Sequence, residues 1–360
     1  MVQGESNKSA NSSKHHMVGG EGPHSYLRNS EYQKQLLLSA DDSIQDLISH
    51  HLDAGNPPRT FRIADFGCSV GPNAIQAVEN IIKAVKIKFE NSRSTPDFHV
   101  FFNDLIGSDF DTLFKNLPSP RNYFAAASPG SFHTQLFPKS TLNFAHCSTA
   151  LHWLSRIPVE VTDRSSPAWN AGRIHYSGAG QAVRQAYSDQ YAADMEAFLT
   201  ARATELVPGG LMAVVVLGFP DGVVSSDSSI GKAFDILGSC LCDMARAGKI
   251  DEERVDSFNL PFYYPSPSEL TALIEANGSY RIEKMAALAA PMRRRPDAAV
   301  LTSHLRAVIE VLVEEHFGNG VVEELFARHY EKLLKSPILV DEKFWKETNY
   351  FVFLKREEDL

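Results

Sequence analysis

The chain has 360 residues, 43% apolar and 22% charged, the composition of an ordinary globular protein able to bury a large core. Its net charge of −9 argues against a nucleic-acid surface, because phosphate recognition needs clustered Lys and Arg, and the basic run Arg293-Arg294-Arg295 reads as a solvated loop. The longest apolar run, Leu211 to Leu217, is strand-sized and too short to span a membrane.

Residues 1–16 are polar, carry no apolar signal-peptide region and read as a disordered tail. A glycine-rich loop from Met17 leads to a helix through Glu31–Leu38. A second helix is expected over Asp42–Leu52, with Ile44, Leu47, Ile48 and Leu52 on one face, ended by Asn56-Pro57-Pro58. Phe61–Phe66 is the first core strand, and Ile75, Val78, Ile82 and Val85 give the next helix its buried stripe. Phe98–Asn103 is a second strand and Leu142–His146 a third. A long helix runs from about Gly180 to Val207, where Pro208-Gly209-Gly210 stops it as a C-cap. Leu211–Leu217 reads as a strand buried in a parallel sheet. Residues 231–248, 267–277 and 297–317 read as helices, and Asn349–Lys355 as a strand returning to the core.

Strands alternating with helices predict a doubly wound α/β core, with a mostly helical cap over the carboxyl ends of the strands. The expected organisation is a tail over 1–16, an N-terminal lid helix and α/β core over 17–220, the cap over 221–320 and a C-terminal return to the sheet over 321–360. Cys68, Cys147, Cys240 and Cys242 show neither C-x-x-C pairing nor zinc-like histidine spacing, and read as reduced thiols of a cytoplasmic protein.

The stretch from Ile63 to Asn73 carries the most chemistry. It is a strand, a turn at Asp65-Phe66-Gly67 and a helix after Pro72, the layout of a nucleotide-binding loop. A dinucleotide loop needs G-x-G-x-x-G to bring its backbone to the phosphates. Here Gly67 and Gly71 stand four apart and no Lys or Arg follows, so a ligand with an adenosine but no phosphate, such as S-adenosylmethionine (SAM), suits it better. Asp104, at the end of the second strand, can accept hydrogen bonds from both ribose hydroxyls. Taken alone it could equally be a helix-cap or turn aspartate. Taken alone, Phe132 and Trp153 read as core and Gln33 as an exposed helix residue.

Ordered motifs change that reading. Met17-Val18-Gly19-Gly20-Glu21-Gly22, then Ser25-Tyr26 with Asn29-Ser30 and Gln33, resembles the opening of the SABATH plant methyltransferases, the salicylic acid, benzoic acid and theobromine methyltransferases and their relatives. The resemblance continues through Asp65-Phe66-Gly67-Cys68-Ser69-Val70-Gly71-Pro72-Asn73, Phe102-Asn103-Asp104-Leu105, Pro129-Gly130-Ser131-Phe132, Leu136-Phe137-Pro138, His152-Trp153-Leu154-Ser155 and Asp256-Ser257-Phe258-Asn259. It implies a Rossmann-like SAM-dependent methyltransferase core acting on small acids, or on purine nitrogens in one branch. By match, Tyr26, Ser30, Asp65, Gly67 and Asn73 hold the methionine end and turn of the SAM site. Asp104 and Leu105 hold the ribose and one side of the adenine, and Ser131 and Phe132 hold the adenine. Gln33 and Trp153 resemble a pair that hydrogen-bonds a substrate carboxylate. Thr149, His152, Leu217, Phe234, Tyr263, Leu305 and Val308 fall at pocket-wall positions. Asn170, Asp256 and the backbone of Phe258 match a structural Mg²⁺ site of some relatives.

The chain departs from the family at Val18, where relatives often carry Lys, and at Thr149 and His152, where salicylate-type members tend to have Tyr and Met. The latter argues for an acid bulkier than salicylate. The carboxylate is itself the nucleophile, so no catalytic base is expected and the mechanism is one of positioning. The expected partners are a small carboxylic acid and a second copy of the chain, with neither nucleic acid nor membrane. Purine N-methylation and a non-catalytic SAM- or acid-binding role are the rival readings.

Overall fold

The computed structural model describes residues 16–53, 55, 57–90, 92, 94–288 and 297–358. Positions 1–15 of the expected tail, Asn56 of the helix-ending triplet and the run from Arg293 to Pro296 lie outside them.

The chain opens with a short helix α1 (Tyr26–Asn29) and a long helix α2 (Glu31–His51). The sequence suggested a break inside α2, but Ser39-Ala40-Asp41-Asp42-Ser43 contains neither Gly nor Pro, and the buried stripe Leu36, Leu37, Ala40, Ile44, Leu47, Ile48 passes straight through it. Strand β1 (Thr60–Phe66) leads to α3 (Pro72–Lys88), which starts on Pro72, where the missing N–H is no loss. Strand β2 (Asp97–Asp104), helix α4 (Phe110–Lys115), strand β3 (Phe124–Pro129) and strand β4 (Leu142–Ser148) follow. Leu142 therefore opens the fourth strand, not the third. Strand β3 leaves no readable pattern in the sequence, because Phe124-Ala-Ala-Ala-Ser-Pro lies at the sheet edge, half-buried to exposed, with no alternation.

Helix α5 (Gln181–Glu205) runs directly into β5 (Leu206–Gly218). Pro208-Gly209-Gly210 is thus not a helix cap. Leu206 is already extended, and the triplet forms an irregularity within β5, where Leu142 faces Leu206 but Phe144 faces Leu211. Beyond β5 come α6 (Ser229–Arg246), α7 (Glu252–Ser257), α8 (Pro267–Asn277), strand β6 (Tyr280–Leu288), α9 (Ala298–Phe317), α10 (Val322–Leu334) and β7 (Thr348–Arg356). The short α7, the amphipathic α10 and β6 were not singled out from sequence, and β6, inside the range assigned to the cap, is an edge strand of the core sheet.

The sheet order is β3-β2-β1-β4-β5-β7-β6, with β7 inserted antiparallel between β5 and β6 and the remaining pairings parallel. This is the α/β core expected from the alternation. Phe351 and Phe353 on β7 are fully buried. Helix α10 packs on both α9 and α6. The carboxyl ends of β1 and β4 border a crevice that is also lined by α1, α2 and the start of α3. No described helix is long and apolar enough to cross a membrane.

Candidate functional site

The turn after β1 is built on Gly67. Its φ is +76°, and a Cβ there would lie 2.5 Å from the Cβ of Ala150. Only glycine tolerates both demands. The N–H groups of Gly67 and Cys68 donate to the Asn103 carbonyl on β2 at 2.9 and 3.0 Å, which anchors the turn to its neighbour. Two other residues at this crevice, Ser69 (φ 52°) and Thr149 (φ 53°), hold left-handed backbone without being glycine. That conformation is a genuine outlier for a β-branched residue. The Val215 carbonyl holds the Thr149 N–H at 2.8 Å.

The crevice, open to solvent, brings together Tyr26, Gln33, Asp65, Gly67, Asn73 and Thr149. Gln33 is therefore not the exposed helix residue that it resembles in isolation. Three polar atoms on its walls, Gln33 Oε1, Ser69 Oγ and His146 Nε2, are buried without a partner among the described residues. Buried polar groups are ordinarily satisfied, so a cluster of orphans in one crevice marks the seat of a polar ligand. The absence of a Cβ at Gly67 lets such a ligand approach the backbone.

The α1–α2 segment closes one side. The Asn73 amide donates to the Ser30 carbonyl and hydroxyl at 3.2 and 3.1 Å. The Tyr26 phenol is bonded to Thr149, and burial raises its pKa. Asp104 stands beside the Gly67 turn, where its carboxylate accepts from the N–H groups of Ser69 and Leu105, both at 2.7 Å, and from the Ser108 hydroxyl at 2.6 Å. Burial raises the Asp104 pKa, and these three bonds oppose the rise. Upstream contacts hold the same edge: the Gly20 N–H donates to Asp109 at 2.7 Å.

Ser131 and Phe132 lie next to Asp104, whose carbonyl accepts the Gly130 N–H at 2.8 Å. The Phe132 ring would be 3.6 Å from a Cβ at Gly67. Their loop is fixed by a buried ion pair that was not among the residues expected from sequence. Arg202 donates to the carbonyls of Phe132 (2.8 Å) and Thr134 (2.9 Å) and to Glu205 (2.7 Å), and Glu205 accepts from the N–H groups of Leu136 and Phe137. The only signal was an Arg and a Glu three apart at a helix end, which is usually a surface pair.

The neighbourhood of Trp153 is more apolar. The Trp153 ring meets Phe262 edge to face at 4.4 Å, and His152 stacks on Tyr264 at 5.7 Å. His152 Nδ1 is buried without a partner among the described residues. Phe234 is deeply buried and stacks on Phe262, and the Tyr263 hydroxyl donates to Glu269 at 2.9 Å. Leu217, Leu305 and Val308 join the same apolar cluster as Trp153. Of the expected pocket-wall residues, Thr149 borders the crevice, whereas His152, Leu217, Phe234, Tyr263, Leu305 and Val308 do not.

Asn170, Asp256 and Phe258 form a separate neighbourhood. The Asn170 amide donates to Asn259 at 2.8 Å, its Oδ1 is buried without a partner among the described residues, and Asp256 accepts the Gly172 N–H at 3.0 Å. Arg164 lies 3.6 Å from the other Asp256 oxygen. Among the described residues no group of three or more His, Cys, Asp or Glu could hold a metal.

Burial pushes His152 and His175 down to about 3 and His329 down to about 4. In the unfolded chain each titrates near about 6.5. Between those values the unfolded chain binds more protons, so stability rises with pH across the window and is lost as pH falls through it. The urea midpoint is expected to be lower at about pH 5 than at about pH 7.5; equal midpoints would contradict the burial of neutral imidazoles.

Residues 12–357 match the family described as SAM-dependent carboxyl methyltransferase. Loganic acid O-methyltransferase of Catharanthus roseus is 43% identical over 350 residues, covering 95% of this chain and 94% of the relative. Farnesoic acid carboxyl-O-methyltransferase of Arabidopsis thaliana is 40% identical over 319 residues, 88% and 91% of the two chains. The solved structure of loganic acid methyltransferase with SAH superposes with a TM-score of 0.92 at 42% identity, covering 95% of this chain and 99% of that one.

Proposed function

The chain belongs to the SAM-dependent carboxyl methyltransferases, and on that premise we propose that it methylates the carboxylate of a plant hormone or specialised metabolite bulkier than salicylate, giving the methyl ester. The observation that carries the cofactor part of this reading is the set of unpartnered polar atoms from Gln33, Ser69 and His146 in one crevice beside the Gly67 turn; the acid part rests on the family.

When bound, SAM supplies a methyl group activated by the positive charge on its sulfur. Tyr26, Ser30, Asp65, Gly67 and Asn73 hold the methionine end, Asp104 and Leu105 the ribose and one adenine face, and Ser131 and Phe132 the adenine. A carboxylic acid with a reference pKa of about 4 is already ionised near neutral pH. The protein therefore needs no base. Gln33 and Trp153 each donate a hydrogen bond to the acid and aim one oxygen without protonating it, while the aromatic wall excludes water. Alignment of this kind supplies roughly 7–11 kcal/mol. Purine N-methylation is the weaker reading, because a pair of donors such as Gln33 and Trp153 favours a carboxylate and the matching family is that of carboxyl methyltransferases.

Asp104→Ala is expected to weaken SAM binding about tenfold or more, since hydrogen bonds to a charged acceptor contribute about 1.5–3 kcal/mol. Calorimetry on the folded variant checks this, and unchanged affinity contradicts it. The size preference rests on Thr149 in place of a larger side chain. Comparing kcat/KM for salicylate, indole-3-acetate, jasmonate and farnesoate tests it, with Thr149→Tyr expected to shift preference toward small aromatic acids. Salicylate as the clear best substrate would refute it.

We further propose a cytoplasmic homodimer with a core over 17–220 and a cap over 221–320 that lends β6 to the core sheet; four free thiols suit a reducing compartment. A structural Mg²⁺ would take the unpartnered Asn170 Oδ1, the Asp256 carboxylate and the Phe258 carbonyl, oxygen donors of the kind this ion prefers. Light scattering and metal analysis after dialysis read these two points.

A further inference from the structure

Asp65 and His146 are register partners on the parallel strands β1 and β4. His146 Nδ1 lies 2.6 Å from Asp65 Oδ1, and both residues are almost fully buried, at 2% and 3% exposure. A ring nitrogen facing a carboxylate oxygen donates to it, so in the tautomer that carries its proton on Nδ1 the Nε2 is an acceptor. That Nε2 is buried without a partner among the described residues, on a wall of the crevice.

A carboxylate and a second acceptor side by side select a cation rich in N–H donors. They also repel an acid, so this end of the crevice does not seat the substrate carboxylate. We propose that His146 is a positioning residue of the cofactor site: its Nδ1–H fixes the Asp65 carboxylate, and its Nε2 accepts an N–H from the α-ammonium group of SAM, directly or through one water. This rests on the reading above that the crevice takes the methionine end of SAM. The isolated strand gave no hint of the role, because a histidine near the end of an apolar strand is more often a packed core residue.

The test compares SAM with 5′-methylthioadenosine, which keeps the adenosine and the sulfur but lacks the ammonium-bearing arm. His146→Phe removes both ring functions; its SAM affinity by calorimetry is expected to fall about tenfold or more, with methylthioadenosine affinity within about twofold of the parent. His146→Asn keeps a side-chain donor toward Asp65 but not the Nε2 acceptor, and is expected to recover part of the loss. Equal SAM affinity in parent and variants overturns the proposal, as does a matching loss for both ligands, which marks a role in folding the site. If His146→Phe does not fold, His146→Asn carries the same two-ligand comparison, with about threefold weaker SAM binding expected and unchanged SAM binding overturning the proposal. A parent that binds methylthioadenosine but not SAM refutes the reading of the crevice itself and takes the inference with it.

Discussion

Gly67→Ala is expected to reduce SAM affinity by about a hundredfold or more while leaving a folded protein. Two penalties combine. A left-handed backbone costs a non-glycine residue about 1–2 kcal/mol, and φ at Gly67 is +76°. The new Cβ would also stand 2.5 Å from the Ala150 Cβ, a distance that forces one turn away from the other, and overpacking of this kind costs about 1–3 kcal/mol. Both shifts fall on the backbone that faces the ligand. Ala150→Gly in the same chain removes the steric contact but not the φ penalty, so the double variant is expected to recover part of the affinity and not all of it. A double-mutant cycle measured by calorimetry separates the two contributions. Full affinity in Gly67→Ala would show that the ligand does not press on this turn.

Gln33→Ala and Trp153→Phe are each expected to lower kcat/KM on the acid by about 10- to 100-fold, with SAM affinity within about threefold of the parent. Each removes one donor and little volume from the acid side. The loss should appear in kcat as well as KM, because a carboxylate that binds without being aimed spends less time in line with the methyl group. Trp153 also packs edge to face on Phe262 at 4.4 Å, and Phe preserves that apolar contact better than Ala would. Steady-state kinetics with each substrate varied at saturation of the other resolves the two effects. Wild-type kcat/KM in both variants would dismiss the carboxylate clamp.

Much of the fold was legible because its signals are local. The stripe Ile75, Val78, Ile82, Val85 and the apolar run Leu211–Leu217 each announce one element, and both form as expected. What escaped was decided by tertiary context. An Ala-rich edge strand at Phe124–Pro129 exists because β2 offers it a ladder, and Pro208-Gly209-Gly210 is a strand irregularity because Leu206 was already paired with Leu142. The site divides in the same way. Glycine at 67 is readable from sequence, since a turn after a strand demands it. The partnership of Asp65 with His146, 81 residues away, and the Arg202–Glu205 clamp on the Phe132 loop depend on which strands become neighbours, and no short motif records that. The family resemblance located Gln33, which looks like a surface residue in its helix and instead borders the crevice.

The central claim is that a carboxylate oxygen receives the methyl group. Incubation with ¹³C-methyl SAM and a panel of plant acids, followed by NMR and mild alkaline hydrolysis of the product, tests it most directly. The account predicts a label in the methyl-ester region of the spectrum that alkali releases as methanol. A label that survives alkali on nitrogen, or no transfer from a folded protein that binds SAM, would contradict it.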